Sequence, residues 1–257
     1  MPLTFTTLRP EAVGLFMPPS LPGSGEVHVW PFSLDVPSAV HEQYAAFLSQ
    51  AEQARAGRFR FPADRRHYVA AHGCLRAILS QYCPSEPQSL VLESMPSGKP
   101  RLVCDGRPAD IDFNLTHSHG RGAVVVACDR AVGIDLEKLR TEVDCRRLAE
   151  RYFSAHEQSV VLSATEERLP EMFFRHWVGK EAYLKGTGVG LRMPLDQCEV
   201  FLSEDRERAV IRRQGSTIPS EAWMVQYLSL EAEWIGCVAA RGDGWTVRVC
   251  SDPGLRG

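Results

Sequence analysis

Helix-like and strand-like segments occur in separate blocks along this chain and do not alternate. Apolar residues recur with a period near 3.6 over 40–57 and 64–82, and several short strand-like segments follow. The second half has the same order, with helical patterns over 144–152, 155–163 and 168–185 before another run of strand-like segments. Strands that are grouped in sequence pair mainly with one another, so this order predicts an α+β fold.

The predicted strands are short and are separated by turn residues. Before the second block of helices they are Val27–Phe32, Ser89–Glu93, Arg101–Cys104, Ile111–Thr116, Gly122–Ala127 and Val132–Glu137. The second half adds strands near 197–202, 208–213, 222–230, 234–240 and 245–250. Because both halves place helices before strands, we predict an irregular lead-in over 1–26, an N-terminal α+β half over 27–128 and a C-terminal α+β half over 129–257.

The composition excludes several classes of protein. Apolar residues make up 44% and charged residues 24% of the 257 residues, as in ordinary globular proteins. The longest apolar run, Gly122 to Cys128, is far shorter than the ~20 residues that span a bilayer, and we expect no secretory signal. The net charge of −3 excludes a generally basic nucleic-acid-binding protein. We therefore expect neither a membrane nor a nucleic acid as a partner.

The pattern of cysteines indicates the cellular compartment. The eight cysteines are scattered and form no Cys-x-x-Cys pair. This pattern argues against a zinc ribbon and against a disulfide framework, and it favours a reducing environment. We therefore expect a cytoplasmic protein.

The window 54–76 concentrates positive charge on a protein that is slightly acidic overall. It contains one aspartate, no glutamate and six arginines, namely Arg55, Arg58, Arg60, Arg65, Arg66 and Arg76. A solvated helix face explains such a run, and so does a local site for an anion. The charge pattern alone leaves both interpretations open.

Three short segments carry residue types that suit phosphate chemistry. In the first, Val132–Glu137, alternation along a strand puts Asp135 and Glu137 on one face. Hard divalent cations such as Mg²⁺ bind through one or two carboxylates together with substrate phosphate oxygens. An exposed polar strand face gives the same alternation, so the pattern alone leaves both interpretations open.

The second segment is a helical stretch from Phe173 to Gly186, and we expect Gly186 to end the helix. Glu181 and Lys185 are four residues apart, so they lie on one turn. Most such pairs are surface ion pairs that contribute ~0.3–0.5 kcal/mol, and a functional pair has the same spacing. Gly179 inside the helix costs roughly 1 kcal/mol relative to alanine, which hints at a reason other than helix propensity.

The third segment joins Gly98–Pro100, a predicted turn with the mobile cation Lys99 at its tip, to Thr116–His119. His117 and His119 have the spacing at which strand residues share a face. A His-x-His pair suggests zinc when a third ligand is close, and none is evident in the sequence. A contact to phosphate and a structural role are the other interpretations of His117.

Taken in order, these segments resemble the signatures of the 4′-phosphopantetheinyl transferase superfamily. The matching motifs are Gly98-Lys99-Pro100, Phe113-Asn114-Leu115-Thr116-His117-Ser118, Gly133-Ile134-Asp135-Leu136-Glu137 and Trp177-Val178-Gly179-Lys180-Glu181-Ala182-Tyr183-Leu184-Lys185-Gly186. The similarity is to the large monomeric, surfactin-synthetase-activating type, which serves nonribosomal peptide and polyketide synthases, and it covers roughly 55–191. It implies a pseudo-dimer of two similar α+β halves, each with helices packed on a small, mostly antiparallel sheet, and an active site in the cleft between them.

The resemblance also implies a reaction and its residues. A serine of an apo acyl or peptidyl carrier protein attacks the β-phosphate of coenzyme A, takes the 4′-phosphopantetheine arm and releases adenosine 3′,5′-bisphosphate. The implied cofactor is Mg²⁺, with Asp135, Glu137 and Glu181 as ligands. Glu181 is implied as metal ligand, as general base or as both, and Lys185 as a partner of the phosphates. The implied contacts to coenzyme A are Arg55, Gly98, Lys99, Pro100, Asn114, Thr116 and His117.

Two other functions fit parts of the pattern. A metal-dependent phosphohydrolase would use the same carboxylates with water as the nucleophile, but it leaves Gly98–Pro100 and the segment around His117 without a purpose. A non-catalytic binding module with a degenerate site would be free to lose the three carboxylates and Lys185, and all of them are present. Both observations favour the transferase.

Overall fold

The computed structural model describes residues 2–6, 21–213 and 223–250, so residues 1 and 7–20 of the predicted lead-in lie outside the described residues. The chain divides into two compact units. The N-terminal unit comprises Thr4–Met95, Pro100–Asp129 and Thr246–Gly257, and the C-terminal unit comprises Met1–Leu3, Pro96–Lys99 and Arg130–Trp245. This division differs from the predicted one, because the last strand joins the N-terminal unit and the segment around Lys99 joins the C-terminal unit.

The described elements follow the predicted blocks of helices and strands. In chain order the strands are β1 (Glu26–Ser33), β2 (Val91–Ser94), β3 (Pro100–Cys104), β4 (Arg107–Pro108), β5 (Ile111–Ser118), β6 (Arg121–Cys128), β7 (Val132–Lys138), β8 (Cys198–Leu202), β9 (Arg208–Arg213), β10 (Trp223–Tyr227), β11 (Trp234–Arg241) and β12 (Thr246–Val249). The helices are α1 (Ser38–Phe47), α2 (Gln50–Ala56), α3 (Pro62–Leu79), α4 (Cys145–Tyr152), α5 (Ala155–Leu162) and α6 (Leu169–Thr187). None of the described helices is both long and apolar enough to cross a membrane.

The N-terminal unit combines three helices with a four-stranded sheet. The strand order is β12-β1-β6-β5, and every pair is antiparallel except the parallel pair of β1 and β12. α3 packs against β5 and β6, and its residues Ala71, Cys74 and Ile78 are fully buried. A smaller antiparallel sheet has the order β2-β3-β4.

The predicted single helix over 40–57 is in fact two helices. α1 ends at Phe47, and Ser49 is the N-cap of α2. Ser49 Oγ accepts a hydrogen bond from the Glu52 N–H at 3.3 Å, and the Glu52 carboxylate accepts one from the Ser49 N–H at 2.8 Å. This reciprocal capping box satisfies backbone donors at the start of a new helix, so the apolar period continues across a break in the backbone.

The C-terminal unit packs α6 on a five-stranded antiparallel sheet with the order β7-β11-β10-β9-β8. α6 lies against β7 and β11 and buries Phe173, Phe174 and Val178 in the core of this unit. Each unit therefore combines helices with a small, mostly antiparallel sheet. The predicted α+β class and architecture are confirmed.

α6 continues beyond its predicted end at Gly186. The helix runs to Thr187, and its C-cap is Gly188 with a φ of 70°, a left-handed conformation that glycine adopts without steric cost. Gly186 lies inside the last turn, where a Cβ would be 2.5 Å from the Trp223 ring. Gly186 is therefore needed for close packing, and the prediction that it ends the helix is wrong.

Cys83 and Cys104 form a disulfide bridge with their Cα atoms 6.0 Å apart. The bridge joins the chain just after α3 to the end of β3, and the other six cysteines are free. The scattered cysteines argue against a disulfide framework, and they do not predict this single bridge. The two residues are 21 positions apart, and only tertiary packing brings their Cα atoms within the distance that a disulfide requires.

Candidate active site

β7 and α6 bring the predicted carboxylates together within the C-terminal unit. β7 is the edge strand of its sheet and carries Asp135 and Glu137, while α6 packs against it and carries Glu181 and Lys185. The two elements approach closely because Gly133 has no side chain, since a Cβ there would overlap the backbone of the last turns of α6. The glycine at position 133 therefore allows β7 and α6 to pack closely beside these four charged residues.

Lys185 and Asp135 form an ion pair across this contact. Lys185 Nζ donates a hydrogen bond to Asp135 Oδ1 at 2.6 Å, and Asp135 is only 5% exposed, so water screens the attraction weakly. Burial disfavours the Lys185 ammonium, but the negative charges of Asp135, Glu181 and Glu137 outweigh burial and raise the pKa of Lys185. Lys185 therefore remains a cation at neutral pH.

Glu181 has the opposite electrostatic problem. Burial and then repulsion from Asp135 and Glu137 raise the pKa of the Glu181 carboxyl, and Lys185 partly opposes this shift. Asp135 and Glu137 are thus close enough to Glu181 to affect its ionisation. A carboxylate whose pKa is raised toward neutrality accepts a proton more readily than an ordinary glutamate.

The donor chemistry of this carboxylate cluster (Asp135, Glu137 and Glu181) fits Mg²⁺. The repulsion that helps to raise the pKa of Glu181 arises from an excess of negative charge, and a divalent cation would neutralise that excess. Glu137 also lies 3.7 Å from Arg140 Nη2. Across the described ranges, no three His, Cys, Asp or Glu side chains already form a metal-binding group. Mg²⁺ commonly uses one or two carboxylates and completes its coordination with phosphate oxygens and water, so a preformed cage is not required.

Lys99 lies in the predicted turn, but it is not a mobile cation at the tip. Gly98 has a φ of 91°, which makes the turn, and Lys99 is only 8% exposed. Lys99 Nζ donates hydrogen bonds to the carbonyl oxygens of Val132 at 2.9 Å and Gly186 at 3.1 Å. The mobile-cation prediction is therefore wrong, because the side chain folds back onto the start of β7 and the end of α6.

Apart from Gly98 and Lys99, the predicted contacts to coenzyme A lie in the N-terminal unit. Asn114 and Thr116 are buried on β5, whereas His117 is exposed near the end of that strand. His119 does not share the face of His117, because it begins the β5–β6 hairpin turn with a φ of 44° and Gly120 follows with a φ of 78°. Positive φ at both positions is typical of a type I′ turn, so the strand alternation stops before His119.

The arginine-rich window 54–76 divides into two kinds of residue. Arg55 is exposed, with its guanidinium 5.7 Å from the centre of the Tyr68 ring. Arg76 is instead buried, and its Nε donates to Glu52 Oε2 at 2.7 Å. Burial opposes ionisation of Glu52, but hydrogen bonds from His72, Ser49 and Arg76 outweigh it and lower the pKa of Glu52 to about 2. Arg76 therefore has a structural partner, while Arg55 faces solvent.

Comparison with known proteins decides the family. Residues 131–239 match the family model of the 4′-phosphopantetheinyl transferase superfamily, and residues 37–130 match the model of the N-terminal region of 4′-phosphopantetheinyl transferases. The chain is 38% identical over 222 residues to the 4′-phosphopantetheinyl transferase HetI of Nostoc sp. (strain PCC 7120), which covers 86% of this chain and 90% of that protein. The chain belongs to this superfamily.

Two further transferases show the same relationship. The 4′-phosphopantetheinyl transferase psf-1 of Bacillus pumilus is 34% identical over 200 residues, which covers 78% of this chain and 82% of that protein. Sfp of Bacillus subtilis (strain 168) is 27% identical over 170 residues, with coverages of 66% and 73%. The predicted family and enzyme class are therefore confirmed. In this phosphopantetheinyl transferase, the carboxylate cluster and Lys185 lie within the superfamily match, and Arg55 and β5 lie within the N-terminal match.

A buried ion pair that was not predicted from the sequence holds α6 in place in this phosphopantetheinyl transferase. Lys180 and Glu157 are fully buried, and Lys180 Nζ lies 2.5 Å from Glu157 Oε2. Lys180 Nζ also donates to the carbonyl oxygens of Leu195 and Cys198, each at 2.7 Å. The available signal was the spacing of Ser154 and Glu157, which form a capping box at the start of α5.

Proposed function

We propose that this enzyme transfers the 4′-phosphopantetheine arm of coenzyme A to a serine of an apo acyl or peptidyl carrier protein. The observation that carries the proposal is the ion pair of Lys185 and Asp135 at 2.6 Å, beside a Glu181 carboxyl whose pKa is raised. Such a site combines a cation for phosphate charge with a carboxylate suited to accept a proton. Membership of the transferase superfamily supports the choice of substrates.

The proposed reaction is a phosphoryl transfer between oxygen atoms. The serine oxygen forms a bond to the β-phosphorus of coenzyme A, and the bond from that phosphorus to the bridging oxygen breaks. The bridging oxygen and its electron pair leave with adenosine 3′,5′-bisphosphate, and the serine proton passes to a base. Glu181 is our candidate for this base. Its pKa is raised, so its carboxylate accepts a proton more readily than the carboxylate of an exposed glutamate does.

Asp135, Glu137 and Glu181 are the residues that we propose to hold Mg²⁺. When bound, Mg²⁺ supplies positive charge that stabilises the transferring and leaving phosphates. Lys185 Nζ binds a phosphate oxygen in the same step, and Asp135 orients this ammonium through its hydrogen bond. Glu181 then has a metal-holding role, a proton-accepting role or both.

Residues of the N-terminal unit and of the turn before β3 are proposed to bind the nucleotide end of coenzyme A. They are Arg55, Gly98, Pro100, Asn114, Thr116 and His117. His117 and Arg55 are exposed, so their side chains are accessible to a phosphate. We further propose that the enzyme is a cytoplasmic monomer. Light scattering after size-exclusion chromatography tests the oligomeric state, and cell fractionation tests the localisation.

Intact-mass analysis of several apo carrier proteins tests the proposed function. Each is incubated with coenzyme A and Mg²⁺, and parallel samples contain a chelator or a carrier whose acceptor serine is replaced by alanine. We expect one phosphopantetheine arm on at least one carrier, only when both serine and Mg²⁺ are present. A metal-dependent phosphohydrolase would instead cleave coenzyme A and leave every carrier mass unchanged.

A further inference from the structure

Lys99 makes hydrogen bonds that a residue does not need for binding a nucleotide phosphate. Its Nζ donates to the carbonyl oxygens of Val132 and Gly186, at 2.9 and 3.1 Å. Val132 is the first residue of β7, and Gly186 lies in the last turn of α6, where carbonyl groups have no partner within the helix. A single buried ammonium therefore connects the backbone of the strand to the negative end of the helix dipole.

The same place has two glycines that allow the backbones to touch. A Cβ on Gly133 would lie 2.8 Å from Gly186 Cα, and a Cβ on Gly186 would lie 3.0 Å from Gly133 N. Neither position has room for a side chain, so the backbones of β7 and α6 are in close contact here. We call Lys99, Val132, Gly133 and Gly186 the β7–α6 junction.

The segment that carries Lys99 is also fixed against α6. Ser97 Oγ accepts a hydrogen bond from the Lys99 N–H at 3.3 Å. A Cβ on the C-cap residue Gly188 would lie 2.7 Å from Ser97 Oγ and 3.3 Å from Lys99 Cβ. The turn therefore packs directly on the end of α6, which aims the Lys99 side chain at the β7–α6 junction.

The junction lies next to the charged residues of the candidate site. Lys185 directly precedes Gly186, and Asp135 is two residues after Gly133, a distance of roughly 7 Å along a strand. The hydrogen bond between Lys185 and Asp135 depends on the position of the strand along the helix. A displacement on the order of 1 Å at a catalytic site costs roughly a hundredfold in rate.

We propose that Lys99 is a positioning residue, which holds β7 against the last turn of α6 so that Lys185 meets Asp135. The proposal rests on the proposed function, and it replaces the sequence-based role of Lys99 as a ligand of the nucleotide. Lys99 acts through the backbone of Val132 and Gly186, and it does not touch the reacting atoms.

The first test replaces Lys99 by methionine, which keeps the length of the side chain but removes the donor. Lys138→Met is the matched control, since Lys138 is the last residue of β7 and its ammonium forms an exposed ion pair with Glu233 at 3.4 Å. We expect kcat of Lys99→Met to fall by roughly ten- to a hundredfold, with the KM and Kd for coenzyme A within about twofold of wild type. The control should leave all three constants unchanged.

Binding of dephospho-coenzyme A provides the contrasting outcome. If Lys99 instead binds the 3′-phosphate, Lys99→Met weakens binding of coenzyme A by roughly ten- to a hundredfold and leaves binding of the dephospho form unchanged. That result overturns the proposal, and so does an unchanged kcat. Lys99→Gln, which can still donate to one carbonyl, is measured in the same way if the methionine variant does not fold.

A measurement on the wild-type enzyme tests the positioning role without relying on transfer. The chain has four lysines, so spectra of ¹⁵N-labelled lysine side chains contain few ammonium signals. We expect the Lys99 ammonium to exchange hydrogen slowly with water in the absence of coenzyme A, because it is buried and two of its three N–H donors are already bonded to carbonyls. Rapid exchange that slows only after coenzyme A is added overturns the proposal. If wild type transfers nothing to any carrier, the proposed function fails. The exchange rate of the Lys99 ammonium still decides whether Lys99 is bound to the β7–α6 junction.

Discussion

At the scale of single residues, Asp135 is the group on which the candidate site depends most. It binds Lys185 and contributes to the raised pKa of Glu181, so it links the cation to the proposed base. Asp135→Asn keeps the shape of the side chain but removes its charge. We expect transfer to fall by roughly a hundredfold or more, because charge stabilisation in the transition state is lost.

Glu199→Gln is the control for Asp135→Asn, since Glu199 lies on β8 of the same sheet and outside the candidate site. Both variants are compared with wild type by initial rates of carrier modification and by circular dichroism. A folded Asp135→Asn enzyme with nearly normal turnover would remove Asp135 from the mechanism.

Recognition of the 3′-phosphate is also a matter of single residues. We predict that His117→Ala and Arg55→Ala each weaken binding of coenzyme A by roughly ten- to a hundredfold, because a charge-assisted contact contributes on the order of 1.5–3 kcal/mol. Binding of dephospho-coenzyme A should change little, so the affinities for coenzyme A and dephospho-coenzyme A become more similar. Calorimetry at fixed ionic strength measures both affinities. Equal losses for both cofactors would show that these side chains act elsewhere, for example on the carrier protein.

At the scale of elements, Glu52 connects the capping box of α2 to α3 through Arg76. The pKa of Glu52 is lowered from 4.5 to about 2 in the folded protein. The ionised carboxylate therefore stabilises the fold fully above about pH 4.5, and this stabilisation is lost as the pH falls toward 2. The shift corresponds to about 3 kcal/mol at neutral pH.

Glu52→Gln should thus lower the free energy of unfolding at pH 7 and flatten its decline between about pH 4.5 and 2. Urea unfolding at several pH values measures both effects. Glu42→Gln is the control, because Glu42 is an exposed carboxylate on the neighbouring helix α1. An identical pH dependence for wild type and Glu52→Gln would contradict the role of this network.

Two helical glycines predict opposite effects of the same substitution. A Cβ on Gly73 in α3 would lie 2.7 Å from Tyr44 Cα in α1, whereas a Cβ on Gly179 in α6 would make ordinary contacts at 3.4 Å with Val200 and Tyr227. Gly73→Ala should therefore destabilise the protein despite the higher helix propensity of alanine, by on the order of 1–3 kcal/mol. Gly179→Ala should be neutral or stabilise it by up to about 1 kcal/mol. Thermal unfolding of both variants checks the difference in sign.

At the scale of the whole molecule, the sequence predicts what depends on local pattern. Grouped helices and strands predict the α+β class, and the motif order places Asp135 on β7 and Glu181 on α6. Local pattern does not predict pairings between distant residues. The bridge of Cys83 and Cys104 and the burial of Lys99 both depend on tertiary packing, which no periodicity encodes.

Element boundaries were missed for a different reason. Gly186 and Gly188 are two residues apart and both suit the end of a helix, but only Gly188 has a positive φ. Trp223, from a distant strand, explains why the other position must also be glycine. Both glycines are typical of a helix end, and only the packing of Trp223 against Gly186 shows which of the two ends the helix.

We propose that this enzyme moves phosphopantetheine from coenzyme A to a carrier serine. The most direct measurement quantifies, in one reaction, the mass of the carrier protein and the adenosine 3′,5′-bisphosphate released. We predict one nucleotide released for each phosphopantetheine arm gained. Asp135→Asn should form both products at a rate lower by roughly a hundredfold or more, and a carrier whose acceptor serine is alanine should give neither product. Release of the nucleotide while the carrier mass stays unchanged would contradict the account, because water and not serine would then be the nucleophile.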